Sequence, residues 1–92
     1  MSEERIIVTA LGRNKVGIVA GISTVLAEHN ASIIELTSAE MSGHFVMVML
    51  VDISKIDVSL TGLQENLNNK GKEIGVQVTA QHEDIFRYMH RI

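Results

Sequence analysis

The residues best suited to chemistry lie in a short polar loop between two glycines. Its sequence, Gly12-Arg13-Asn14-Lys15-Val16-Gly17, runs directly into an apolar segment that begins with Ile18 and Val19. If a helix begins there, its unpaired backbone N–H groups and positive dipole end could hold a carboxylate or another small anion. The missing side chain at Gly17 would let such a ligand approach the backbone. Short glycine-containing turns are also common connections, so tight-turn geometry alone is the alternative interpretation.

Other catalytic and ligand-binding motifs are excluded by residue type. A Walker A loop needs Lys and Ser or Thr after its second glycine, where this chain has Ile18 and Val19. The segment from Gly21 to Val25 lacks the second glycine of a nucleophile elbow, so Ser23 is interpreted as an ordinary helix residue. The histidines lack the short paired spacing of a zinc site; they are His29, His44, His82 and His90. The sequence predicts no catalytic residue, no metal and no cofactor.

Composition narrows the class of protein and its partners. The 92 residues are 46% hydrophobic and 21% charged, which indicates one folded domain. Eight basic residues against eleven acidic ones give a net charge of −3, and only 3% are aromatic, so nucleic acid is not an expected partner. Without cysteines, a basic and apolar leader, or about 18 consecutive apolar residues, the chain is predicted to be cytoplasmic and not to enter membranes.

The elements that must position the loop can be predicted from hydrophobic spacing. Residues 5–11 are β-branched and apolar up to Gly12, which predicts a first strand. A helical stripe follows and predicts a helix over about 18–29 that ends near Asn30, a residue that tolerates a left-handed conformation. The stripe consists of Ile18, Ile22, Val25 and Leu26. Residues 32–41 then form a second predicted strand.

The second half of the chain predicts a hairpin, a helix and an edge strand. Ser42-Gly43 is a predicted turn that pairs residues 32–41 with residues 44–53 as a hairpin. The third strand, residues 44–53, is apolar on both of its faces. Asp57 or Ser59 could cap a second helix that ends around Gly71 to Gly75. Its apolar positions are Ile56, Leu60, Leu63 and Leu67. The alternation of Val76, Val78 and Ala80 with polar residues predicts a fourth strand. The apolar residues of 83–92 recur at helical spacing and predict a short amphipathic helix.

The predicted order βαββαβ is typical of an α+β, ferredoxin-like sandwich. It has a four-stranded antiparallel sheet, two helices on one face and, here, a short C-terminal helix. The crossover rule places strands one and three in the centre of that sheet. The chain is thus one domain over 1–92, with a core over about 5–82. Because two helices cover one face only, a second copy or the C-terminal helix is expected to close the other.

The sequence resembles a known family at several places. The β-branched first strand, Gly12 through Val19, Ala27-Glu28 and the extended segment 32–35 resemble the ACT domain, and the resemblance covers nearly the whole chain. The loop and the segment from Gln81 to Phe86 look especially like the small stand-alone ACT proteins of the UPF0237 type, relatives of the glycine-cleavage transcriptional repressor. The resemblance implies a non-catalytic regulatory protein that binds a small molecule, typically an amino acid, where two copies meet.

Residue by residue, the resemblance implies a two-part ligand site. The loop part comprises Gly12, Asn14, Lys15, Val16, Gly17, Ile18 and Val19, and the facing strand of the neighbour contributes Ser32, Ile33, Ile34 and Glu35. Backbone N–H groups from Gly17 to Val19 would meet a carboxylate, and Ser32 or Glu35 an ammonium group. The implied partners are a small carboxylate ligand and a second copy, with a further protein partner left open. A ligand-free interaction module is the alternative function.

Overall fold

The computed structural model describes residues 4–84, which contain four strands and two helices. The elements are β1 (Arg5–Gly12), α1 (Lys15–Glu28), β2 (Ser32–Met41), β3 (His44–Asp52), α2 (Leu60–Ile74) and β4 (Gln77–His82). This order confirms the predicted βαββαβ arrangement and the ferredoxin-like fold. The predicted C-terminal helix lies, from residue 85 onward, outside the described residues. Within residues 4–84, neither helix combines the length and hydropathy needed to cross a bilayer.

The four strands form one antiparallel sheet in the order β2-β3-β1-β4, so β1 and β3 are central as predicted. A two-residue turn joins β2 to β3. Ser42 and Gly43 both have positive φ angles, 52° and 82°, which is the type I′ pattern that matches the twist of a hairpin. β3 ends at Asp52, one residue before the predicted end, although the Ile53 N–H still donates to the Glu4 carbonyl in register with β1.

The core lies between one face of the sheet and the two helices. Alternate residues of the central strands point into it, and the apolar stripes of both helices close it. The buried strand residues are Ile6, Val8, Ala10, Phe45, Met47, Met49, Val51, Val78 and Ala80. The buried helix residues include the complete predicted stripe Ile18, Ile22, Val25 and Leu26, together with Leu63 and Leu67 of α2. Both helices therefore cover the same face of the sheet.

The helix ends follow local capping chemistry. α1 begins at Lys15, three residues before the predicted start, because Asn14 caps it while the apolar stripe begins only at Ile18. Beyond its last residue, Asn30 adopts the predicted left-handed conformation, with φ 64°. α2 is capped by the Ser59 side chain and ends at Gly75, with φ 75°.

Candidate functional site

The amide groups at the start of α1 are largely occupied by the protein itself. The Asn14 side-chain oxygen accepts the Gly17 N–H at 2.9 Å, and the Asn14 carbonyl accepts the Ile18 N–H at 2.8 Å. The Val19 N–H lies within the helix, where each N–H bonds to the carbonyl four residues back. The expectation that free amides from Gly17 to Val19 meet a carboxylate is therefore corrected. The reason is that α1 begins earlier than the stripe indicated.

Gly17 is held close to the cap that precedes it. A Cβ built on Gly17 would lie 2.5 Å from the Asn14 side-chain nitrogen and 2.8 Å from its Cγ. The glycine is thus needed for the capping side chain to lie over the helix start, whatever else binds there. This contact supports the tight-turn interpretation of the loop. A substitution at Gly17 would disturb the cap as well as any ligand.

The loop still presents polar and cationic groups to solvent. The Lys15 N–H bonds to the Arg13 carbonyl at 3.2 Å, and no hydrogen bond of the described chain uses the Val16 N–H. The Val16 side chain is 77% exposed. A small anion approaching the start of α1 would therefore meet the Val16 amide and the Lys15 ammonium group first.

Two residues missed at the sequence level lie beside this loop. The Lys15 Nζ atom lies 3.9 Å from Glu40 Oε2 and 5.6 Å from the centre of the Phe45 ring. Glu40 and Phe45 are directly opposite each other at the hairpin end of the sheet, where Gly12 also pairs with Phe45. The hairpin register predicted from Ser42-Gly43 was the signal that could have found them. The loop thus lies next to the end of β2.

The second half of the predicted site lies at the opposite end of the same strand. Ser32 is opposite Asp52, whereas the loop is beside Glu40, eight residues further along β2. At about 3.3 Å per residue this separation is about 26 Å, so a single chain does not bring the two halves together. A bulge lies between Ile33 and Glu35, which leaves Ile34 as the extra residue.

The side chain of Asp52, opposite the start of β2, is held by Ser54. Its carboxylate accepts the Ser54 N–H at 2.8 Å and the Ser54 hydroxyl at 2.7 Å. These two hydrogen bonds, with a smaller contribution from nearby Lys55 and Arg5, hold the pKa of Asp52 below its ordinary value of 3.8. The start of β2 therefore faces a carboxylate that stays ionised at neutral pH.

The whole of β2 is accessible to solvent. All ten of its residues are exposed, and Ile33, Ile34 and Leu36 are 39%, 43% and 47% exposed. On the other edge of the sheet, the Gln64 side chain of α2 donates to the Ala80 carbonyl of β4 at 2.6 Å. The sheet therefore has one edge that its own helix partly covers and one long edge that nothing in residues 4–84 covers.

Two clefts of the described chain lie away from the loop. These shallow clefts of about 370 and 380 Å³ run between α2 and β4 and share Asn68, Val78 and Thr79 in their walls. Neither is lined by a residue of the predicted ligand site. Residues 4–84 also contain no group of three His, Asp or Glu side chains placed to hold a metal ion.

Comparison with known proteins agrees with this architecture. Residues 4–81 match the family model of the ACT domain. A UPF0237 protein from Methanocaldococcus jannaschii is 52% identical over 88 residues, which cover 96% of this chain and 98% of that protein. An ACT domain protein from Streptococcus pneumoniae superimposes with a TM-score of 0.80 at 28% identity, over 92% of this chain and 96% of the other.

A more distant structure shares the fold. A candidate glycine cleavage system transcriptional repressor superimposes with a TM-score of 0.72 at 18% identity, over 89% of this chain and 47% of the other. The family-model match over residues 4–81 and the relative at 52% identity identify the family. The chain belongs to the ACT domain family, a regulatory fold that binds small ligands.

Proposed function

We propose that this protein is a non-catalytic regulator that binds a small carboxylate ligand, an amino acid above all, at an interface between two copies. The observation that carries the proposal is the exposed ten-residue edge of β2, which ends beside the polar loop at the start of α1. Long exposed edges of this kind are usually covered or paired. The chain acts in this proposal as one cytoplasmic domain over residues 1–92.

The hairpin register defines which groups β2 offers to a partner. In a two-residue hairpin the flanking pair, here Met41 and His44, exchanges backbone hydrogen bonds, and the pairs then alternate along the strands. Leu36, Ser38 and Glu40 therefore direct their N–H and C=O groups away from β3. Three donors and three acceptors along one straight edge suit antiparallel pairing with another strand.

Two-fold pairing of β2 with a second β2 would assemble the divided site. With the axis at Thr37, Leu36 of each chain is opposite Ser38 of the other, and Glu40 is opposite the partner's Ile34. The start of the partner's β2, from Ser32 to Glu35, then lies next to the loop of the first chain. This arrangement removes the separation of about 26 Å within one chain. It uses the same patch on both copies, as a closed dimer requires.

The chemistry of the assembled site suits a zwitterion. One end offers the Val16 amide, the Asn14 side chain and the Lys15 ammonium group to a carboxylate. The other end offers the Ser32 hydroxyl and the Glu35 carboxylate of the partner to an ammonium group. The proposed ligand residues remain Gly12, Asn14, Lys15, Val16, Gly17, Ile18 and Val19 from one chain and Ser32, Ile33, Ile34 and Glu35 from the other. Gly17, Ile18 and Val19 contribute contact surface in this proposal and not free amides.

A thermal-shift screen against the twenty amino acids and simple carboxylates tests the ligand. A compound that binds only the folded state at 100 times its Kd adds about 2.7 kcal/mol, a shift of several degrees for a domain of this size. For a compound that shifts the transition, Glu35→Gln should reduce the shift. Glu65→Gln, an exposed position on α2, is the matched control and should leave it unchanged.

The alternative function is a ligand-free protein interaction module. It is favoured by the observation that Asn14 and Gly17 account for the loop as a helix cap. If no compound shifts the unfolding transition while sedimentation still detects dimers, the module replaces the regulator as the function. If the protein is a monomer at micromolar concentration and no compound binds, the site between two copies is contradicted as well.

A further inference from the structure

The ion pair between the start of α1 and the end of β2 is a loose one. The Lys15 ammonium nitrogen lies 3.9 Å from Glu40 Oε2, whereas a charge-assisted hydrogen bond measures about 2.7–2.9 Å. The two side chains are 61% and 68% exposed. Within residues 4–84, no hydrogen bond uses the Lys15 ammonium group or the Glu40 carboxylate. Both charged groups therefore keep their hydrogen-bonding capacity for a ligand.

The Phe45 ring holds the Lys15 ammonium group independently of Glu40. The ammonium nitrogen is 5.6 Å from the centre of the ring, within the range of about 6 Å for a cation–π contact. Phe45 is buried in the core, so its ring is a fixed support. Glu40 is directly opposite Phe45 in the hairpin and projects from the same face of the sheet. Lys15 can therefore exchange one carboxylate for another while it stays over the ring.

An α-amino acid carries the two charges that match this pair. Its carboxylate and its ammonium group are attached to the same carbon, so it can enter between Lys15 and Glu40 and replace one loose ion pair with two closer ones. A carboxylate without an ammonium group can also bind Lys15. It then leaves Glu40 without a cation and beside a second negative charge, which is unfavourable. The pair therefore favours a zwitterion over a simple carboxylate.

We propose that Glu40 is a specificity-determining residue of the ligand site. It competes with the ligand carboxylate for Lys15 and, once displaced, binds the ligand ammonium group. This inference rests on the proposed function and narrows its ligand from small carboxylates to α-amino acids. It also adds an ammonium-binding group from the chain that supplies the loop, so both charges are in place before a second copy binds.

Matched pairs of compounds that differ only in the ammonium group test the role of Glu40. The probes are the twenty amino acids and, for each one that binds, the carboxylate without its amino group, such as propanoate for alanine. Isothermal titration calorimetry at low ionic strength compares the parent protein with Glu40→Gln. We expect the variant to bind amino acids about five-fold more weakly and their deaminated counterparts about five-fold more tightly. Changes of opposite sign distinguish this role from a general loss of structure.

The matched control is Glu28→Gln, which removes the same charge from an exposed position at the far end of α1. It should bind both members of each pair as the parent protein does. If Glu40→Gln keeps the parent's preference for amino acids over their deaminated counterparts, the role of Glu40 is contradicted, whereas the proposed function still stands. If none of the twenty amino acids binds the parent protein, the proposed function and this inference fail together.

Discussion

The two edges of the sheet differ in length and in what covers them. β4 has six residues; its Val78 and Ala80 are buried, and Gln64 of α2 donates to the outward carbonyl of Ala80. β2 has ten residues, all exposed, whereas β4 is packed against α2. Both strands are antiparallel edges with the same pattern of unpaired groups. The difference is that β4 is partly covered within the chain, while β2 is open along its whole length.

The largest effect is expected from blocking the β2 edge with Ser38→Pro. The Ser38 N–H points away from β3, so proline removes an outward donor and leaves the hairpin intact. In a two-fold dimer the bond is lost twice, about 1–3 kcal/mol, which weakens the dimer about 5- to 150-fold. Sedimentation equilibrium measures this change, with Ser38→Ala as the control that keeps the donor. An unchanged dimer would place the interface elsewhere.

A substitution where α2 packs against β4 should instead change the stability of the fold. A Cβ at Gly71 would lie 2.9 Å from the Val76 carbonyl oxygen and 2.9 Å from Val78 Cγ2, so α2 would have to move away from β4. We expect Gly71→Ala to lower the free energy of unfolding by about 1–3 kcal/mol, although alanine favours helices. Gly62→Ala in the same helix is the control, since its nearest atom, Ser59 Oγ, is 3.3 Å away. Equal stability of the two variants in urea would show that α2 and β4 are loosely packed.

The smallest effect on stability is expected from removing the hydrogen bond that the Ala80 carbonyl of β4 accepts. Gln64→Ala removes the 2.6 Å hydrogen bond to Ala80 and should cost about 0.5–1.5 kcal/mol in urea unfolding. Asn68→Ala, one helical turn further along the same cleft, tests the loss of an exposed amide in the same surroundings. If both variants are equally stable, Gln64 does not protect this edge, and the comparison of the two edges rests on length alone.

Hydrophobic spacing predicted the elements well because the core is regular. The α1 stripe is buried completely, and the β2 bounds agree with the prediction, since Asn30 and Ser42-Gly43 mark both ends of that strand. The start of α1 was predicted too late because the first helical turn, Lys15 to Gly17, faces solvent and carries no apolar periodicity. Asn14 was the capping signal for the true start.

The ligand site was harder to predict because it depends on tertiary geometry. The residue types marked the loop as a candidate only, and the capping bond from Gly17 to Asn14 is visible only once the helix start is known. The distance between Ser32 and the loop also depends on how β1 pairs with β3, which no local pattern contains. Because β3 is apolar on both faces, the sequence predicted that the sheet face away from the helices would carry apolar residues that the helices do not cover. Val48 lies on that face and is partly exposed.

The tight turn at Ser42-Gly43 also sets an order of events during folding. β2 and β3 are joined by two residues, so their hairpin can form within about 1–10 μs. β4 must instead pair with β1, which lies at the other end of the described chain, and such non-local contacts form more slowly. On the ribosome, the pairing edge would therefore be complete before the residues of β4 have been synthesised. In the proposed dimer, two nascent chains would therefore pair through β2 while their sheets still lack β4.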